Sequence, residues 1–198
     1  MHSFRYLLLA ATLLTMWATA ASASARSWDV DAAHSNIYFT VKHVYAKVIG
    51  RFKEAQMQLV FDPEHLDQSR FDCTIMVGSI DTGEPERDKH LRGADFFASD
   101  TYRQITFTST AITQTNGDEY RVSGTLNVKG VDHQVSFPLI FAGIMDHPML
   151  ADKQVIGFNG FLPVDRLALN IGNGQFYQRK LVDKDVEILI TIEALADK

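Results

Sequence analysis

The chain has 198 residues, with 24 acidic side chains against 19 Lys and Arg, and a net charge of −5. That balance disfavours general nucleic-acid binding, which is driven by Lys and Arg contacts to phosphate. Cys73 is the single cysteine, so no intramolecular disulfide can form and the fold must be held by its core. A 46% apolar composition with 13 Phe supplies the material.

Residues 1–25 read as a secretory signal peptide. Arg5 gives a charged start, "YLLLAATLLTMWATAA" (Tyr6 to Ala21) is a short apolar run, and Ala23-Ser24-Ala25 is a small-x-small exit. The run is short for a membrane span of about 20 residues. No cysteine follows it to carry a lipid anchor. Cleavage after Ala25 leaves 173 residues (198 − 25) at a net charge of −6, one length of domain over residues 26–198.

From there the dominant period is two. "NIYFTVKH" sets Ile37, Phe39, Val41 and His43 on one face. "AQMQLVF" does the same for Ala55, Met57, Leu59 and Phe61, and "FDCTIMV" for Phe71, Cys73, Ile75 and Val77. "ITFTST", "YRVSGTLNVK" and "VEILITIEAL" continue with Ile105 and Phe107, with Tyr120, Val122, Leu126 and Val128, and with Val186, Ile188, Ile190 and Ile192. Alternation of this kind predicts half-buried antiparallel strands, about eight in all. Turn signals at Asp62-Pro63, Asn116-Gly117-Asp118, Lys129-Gly130 and Asn173-Gly174 separate them. "VSFPLIFAGIM" is apolar on both faces, and Pro138 within it predicts a sheet edge or bulge, since proline cannot donate to a ladder. Many antiparallel strands in one domain leave a barrel or a sandwich.

Two segments break the period. "PEHLDQSRF" (Pro63 to Phe71) predicts a short helical turn. "EPERDKHLRGADFF" predicts a helix of two or three turns, started by Glu84 and Pro85, with Leu91, Ala94 and Phe97 at helical spacing. The second segment collects the residue types of an active site, Arg87, Asp88, His90, Arg92 and Asp95. No nucleophile stands out beside them, and Asp88 and Arg92 are four apart, the spacing of a helical ion pair. The favoured reading is a structural helix that docks Leu91, Ala94, Phe96 and Phe97 on the sheet. His34, His43, His65, His90, His133 and His147 show none of the H-x-H, H-x-x-x-H or H-E-x-x-H spacings, so no metal site is expected. "NIGNG" (Asn170 to Gly174) reads as a loop that opens no helix and cradles no phosphate.

The order of these pieces resembles the YceI-like family of exported, lipocalin-like proteins. The resemblance is carried by "WDVDAAHSNIYFTVKHV", "GRF" at Gly50, "FDP" at Phe61, "SIDTG" at Ser79, "RDKHLRGADFF", "ITFTST" and "SGTLNVKGVDHQVSFPL". It covers the mature chain to about Phe141 and is looser beyond. Where the family tends to carry Arg-x-Asp-aromatic-Gly, this chain has "PVDRLAL" (Pro163 to Leu169), and Arg103 stands where a proline is usual.

The resemblance implies an all-β fold, an eight-stranded antiparallel lipocalin-like barrel with a short helix closing or bracing one end. It also implies a long-chain ligand, an isoprenoid or quinone-type lipid held in the periplasm, with no cofactor beyond that lipid and no catalysis. The expected apolar lining is Ile37, Phe39, Val41, Met57, Leu59, Ile75, Val77, Phe107, Leu126, Val128, Phe137 and Phe158. His43, Arg87, His90 and Arg92 are the polar candidates at the rim. Docking to a membrane or membrane protein, and homodimerisation, stay open. The alternatives are a partner-docking accessory module with a filled core, serving stress or electron transfer, and an enzyme acting on the lipid head group.

Overall fold

A computed structural model describes residues 25–198. The expected signal peptide over residues 1–25 therefore lies outside the described residues, apart from Ala25. The alternating segments form β1 (Ser27–Val30), β2 (Asn36–His43), β3 (Ala46–Phe52), β4 (Ala55–Val60), β5 (Arg70–Met76) and β6 (Ile80–Asp81). They continue as β7 (Gln104–Asn116), β8 (Glu119–Val128), β9 (Val131–Asp146), β10 (Lys153–Asp165) and β11 (Val182–Asp197), with helices α1 (Pro85–Arg92) and α2 (Gln175–Gln178).

Eleven segments make eight barrel strands because three strands are each broken in two. β1 and β2 both lie antiparallel to β11; β4 pairs with β1 as β3 pairs with β2; β5 and β6 pair with β4 and β3 in turn. From β5 onward each strand pairs with the next, and β11 returns to β1 and β2 and closes the barrel. Closure pairs most of the strand edges that could otherwise template aggregation. The β8–β9 connection is the expected two-residue hairpin: Val128 faces Val131, and Lys129 and Gly130 both take positive φ, 51° and 76°. The helical turn expected after Asp62-Pro63 is a 3₁₀ turn at Leu66–Gln68.

The local edge expected at Pro138 is present. β9 pairs with β8 from Val131 to Ile140, but its ladder to β10 begins only at Leu139, opposite Gly160. Between Val131–Pro138 and the last residues of β10 the barrel wall has an unpaired seam.

The inward faces share one core that differs between its two ends. At one end Trp28, Phe61, Tyr120, Phe141 and Phe158 pack solidly, with Phe61 edge-on to Tyr120 at 5.1 Å and to Phe158 at 4.9 Å. The Trp28 indole N–H donates to Phe61 O at 3.0 Å. Towards the other end, where β2 approaches its hairpin and β11 begins, the interior is hollow.

Candidate functional site

The hollow end holds a cavity of about 150 Å³ whose wall is apolar throughout. Period-two alternation builds it, because every second residue of a barrel strand faces inward. Of the twelve lining positions expected, Ile37, Phe39, Val41, Ile75, Phe107, Leu126, Val128 and Phe137 lie on the wall. Met57, Leu59, Val77 and Phe158 do not: Leu59, Val77 and Phe158 belong to the buried core and Met57 packs against it, because strand parity turns a side chain inward without placing it beside the cavity. Phe39 crosses the bare Cα of its cross-strand partner Gly50, where any added Cβ would collide with the ring. Cys73 also lines the wall, and burial pushes its thiol up to about 12, which leaves it unreactive as a nucleophile at neutral pH.

α1 and the segment after it cap the cavity. Glu84 starts the helix as expected, its carboxylate accepting from the N–H groups of Glu86 (3.2 Å) and Arg87 (2.6 Å), with Pro85 in the first turn. Leu91, Phe96 and Phe97 turn inward onto the cavity. Ala94 does not dock; the helix ends at Arg92 and Ala94 is exposed in the turns beyond.

The expected Asp88–Arg92 ion pair is not formed. Asp88 is buried and accepts instead from the backbone N–H (2.9 Å) and the hydroxyl of Thr82. Arg87 clamps the same residue, donating from Nε to Thr82 Oγ1 at 2.7 Å and from its guanidinium to Thr82 O at 2.9 Å. Arg87 and Asp88 therefore tie the helix to the end of β6. His90 is exposed, with its ring edge-on to Phe96 (5.0 Å) and Phe176 (5.9 Å) and Nε2 3.7 Å from Asp95. His43 is exposed at the β2–β3 hairpin, and Arg92 is half-buried at the helix end. None of the four rim candidates is on the cavity wall.

Arg166 is the polar residue that the sequence reading missed. It lies in the divergent "PVDRLAL" segment, is only 4% exposed, and contributes its carbon stem to the wall. Its guanidinium is turned away into backbone, donating to Asp183 O (2.7 Å), Ile171 O (2.9 Å) and Val182 O (3.2 Å). Burial works against its charge, and the nearby Asp165 and Asp183 carboxylates work for it. The signal was available: Leu162, Val164 and Arg166 share one strand parity. The following loop also differs from expectation, because Gly174 does open a helix, the single turn α2, which stacks Phe176 on Phe96 at 5.9 Å. Lys129 binds this plug from the β8–β9 hairpin, donating to Phe96 O at 2.7 Å and Asn170 O at 2.9 Å.

At the solid end, Asp31, His34 and Glu193 come together, which spacing rules could not show because Glu193 is on β11. His34 Nδ1 lies 2.8 Å from Asp31 Oδ2 and 3.7 Å from Glu193 Oε1, on an exposed surface. The hydrogen bond to Asp31, then the two negative charges, raise the His34 pKa; the same bond and the Ala33 N–H lower that of Asp31. An NMR titration should therefore place the His34 midpoint above the ordinary value of about 6.5. The stabilisation from His34 is complete below that ordinary value and is lost as pH rises through the raised one. That from Asp31 is complete above the ordinary carboxylate value and is lost as pH falls through the lowered one. A His34 midpoint at or below the ordinary value would contradict the contact.

A closed eight-stranded antiparallel barrel with one apolar internal cavity defines the class of lipocalin-like barrels. The chain belongs to the YceI-like family: the model of the YceI-like domain matches residues 28–194. A UPF0312 protein of Pectobacterium atrosepticum is 31% identical over 96% of this chain and 97% of its own length. Protein YceI of Escherichia coli O157:H7 is 29% identical over 96% and 98%. Among solved structures, Burkholderia cenocepacia BcnA superposes with a TM-score of 0.75 at 33% identity, covering 84% of this chain and 99% of that one. A polyisoprenoid binding domain from Saccharophagus degradans superposes with a TM-score of 0.62 at 18% identity, over 85% and 98%, a likeness of fold.

Proposed function

We propose that this protein binds the apolar chain of an isoprenoid or similar long-chain amphiphile, such as a polyprenol or quinone-type lipid, and carries it in the periplasm after export. The observation that carries the reading is the cavity whose wall is apolar throughout, in a barrel of the YceI-like family. The apolar N-terminal segment supports export, and the polyisoprenoid-binding neighbour of the same fold supports the ligand class. Each buried CH₂ contributes about 0.8 kcal/mol, so a few isoprene units give ample driving force. A space of about 150 Å³ takes a short branched segment; a longer chain displaces the Phe96–Phe97 plug. The reading is of a binding protein: Arg87 and Asp88 are engaged with Thr82, and the α1 residue on the cavity wall is Leu91.

The test is native mass spectrometry of the purified, delipidated chain titrated with a polyprenol and a long-chain quinone. One lipid per barrel is expected. A mass that stays at the protein alone with both lipids overturns the reading.

A further inference from the structure

Two loops meet beyond the hollow end of the barrel. The β2–β3 hairpin exposes Tyr45, at 96% the barest of the large hydrophobic side chains among the described residues, with Val44 beside it. α2 and the segment that follows it expose Tyr177 and Leu181. Residues 42–47 and 176–183 carry four cations, Lys42, Lys47, Arg179 and Lys180, against one carboxylate, Asp183, in a mature chain that is otherwise acidic. Lys47 is engaged by Glu187 at 2.9 Å; Lys42, Arg179 and Lys180 form no ion pair among the described residues.

The loops are held in a costly shape. Val44 and Lys180 both take left-handed backbone, φ 53° and 58°. A β-branched residue in that region is a true outlier, and such strain persists only where the surroundings over-determine it. Here the Val44 N–H donates to Leu181 O at 2.9 Å and locks one loop to the other. Between them runs a cleft lined by Lys42, Tyr45, Tyr177 and Lys180, and Val182 lines both this cleft and the wall of the main cavity. The tip thus adjoins the site.

We propose that this tip is a docking surface for an anionic lipid bilayer, setting the cavity end of the barrel against the membrane. Tyrosines are suited to the interface because their rings are apolar and their hydroxyls wet. Lysine and arginine next to them meet the negative surface potential of anionic lipid. A two-fold pair of tips would set these cations against one another, so the charge match and the mixed aromatic–cationic chemistry favour a bilayer over a homodimer contact at this surface. The inference deepens the lipid-binding reading by naming where the lipid is met.

Flotation of the mature chain with vesicles of phosphatidylcholine alone, and of phosphatidylcholine mixed equally with phosphatidylglycerol, tests it. Binding to the mixed vesicles is expected, weakening with salt. Lys42→Ser with Lys180→Ser should lower it by about fivefold per cation, and Tyr45→Ser with Tyr177→Ser should lower it further. These side chains are exposed, so the melting temperatures of the variants should match that of the parent. The same variants should take up a polyprenol from solution as the parent does, which separates loss of docking from loss of the cavity. Absence of vesicle binding by the parent chain, or equal binding to both vesicle types, overturns the proposal even where chain uptake is intact. Self-association that Tyr45→Ser abolishes, with no vesicle binding, overturns it in favour of a homodimer contact.

Discussion

Arg166→Met should destabilise the protein by about 3 kcal/mol, because three partly buried carbonyls lose the donors of a charged fork while the apolar stem is kept. In thermal melting that corresponds to a drop of about 10 °C for a chain of this size. Arg166→Lys should rescue little, since one ammonium cannot span carbonyls of residues 171, 182 and 183 as a planar fork does. Urea melts at unchanged slope are the check. A Met variant as stable as the parent would mean that the loop after β10 is held by other contacts. The residue matters for the site because those three carbonyls border both the plug and the start of β11. Loss of the fork should loosen the cavity end first, and hydrogen exchange should rise at residues 171–183 before it rises in β8 or β9.

Phe137→Ala and Phe158→Ala should each cost about 3–5 kcal/mol, the usual result of truncating a fully buried phenylalanine. Both rings are 1% exposed. Their consequences for binding should diverge. Phe137 stands on the cavity wall, 5.4 Å from Phe107, so its removal enlarges the space open to a ligand. Phe158 is wedged between Phe61 and Phe141 at the solid end, and its removal opens a separate void. Saturation with a short isoprenoid alcohol should raise the melting temperature of Phe137→Ala more than that of the parent, and that of Phe158→Ala by the parent's amount. Equal shifts in the two variants would deny the division between a packed and a hollow end.

Strand positions were legible because burial on one face of a barrel imposes period two, and Ile37–Phe39–Val41 and Leu126–Val128 obey it without exception. The choice of barrel over sandwich was not in that pattern; it came from the resemblance, and closure of β11 onto β1 and β2 bears it out. Parity says which way a side chain points but not whether anything stands opposite. That is why Leu59 and Phe158 look the same in sequence as Leu126 and Phe137. The polar part was less legible. Asp88 and Arg92 have the spacing of an ion pair, yet a bare N–H and hydroxyl at Thr82 captured Asp88 first, and a buried carboxylate goes where donors converge. Glu193 joins Asp31 and His34 only after the barrel closes. Arg166 could have been found by extending the parity of β10 two residues past Val164, where a charge on an inward position demands backbone partners.

The seam between β9 and β10 bears on how fast the barrel can load. Where β4 adjoins β5, β7 adjoins β8 and β10 adjoins β11, parting two strands would break a ladder of backbone hydrogen bonds. Along Val131–Pro138 no such ladder to β10 exists, and Pro138, lacking an N–H, stands where pairing stops. Phe96 and Leu169 are buried on the cavity wall, and Lys129, from the hairpin that opens β9, fastens Phe96 O and Asn170 O with two hydrogen bonds. In the proposed role, entry of a chain along this seam would require the Lys129 latch and these side chains to move while the remaining ladders stay intact. Loading would then keep the pace of loop motion, without the slower step of opening a β-sheet.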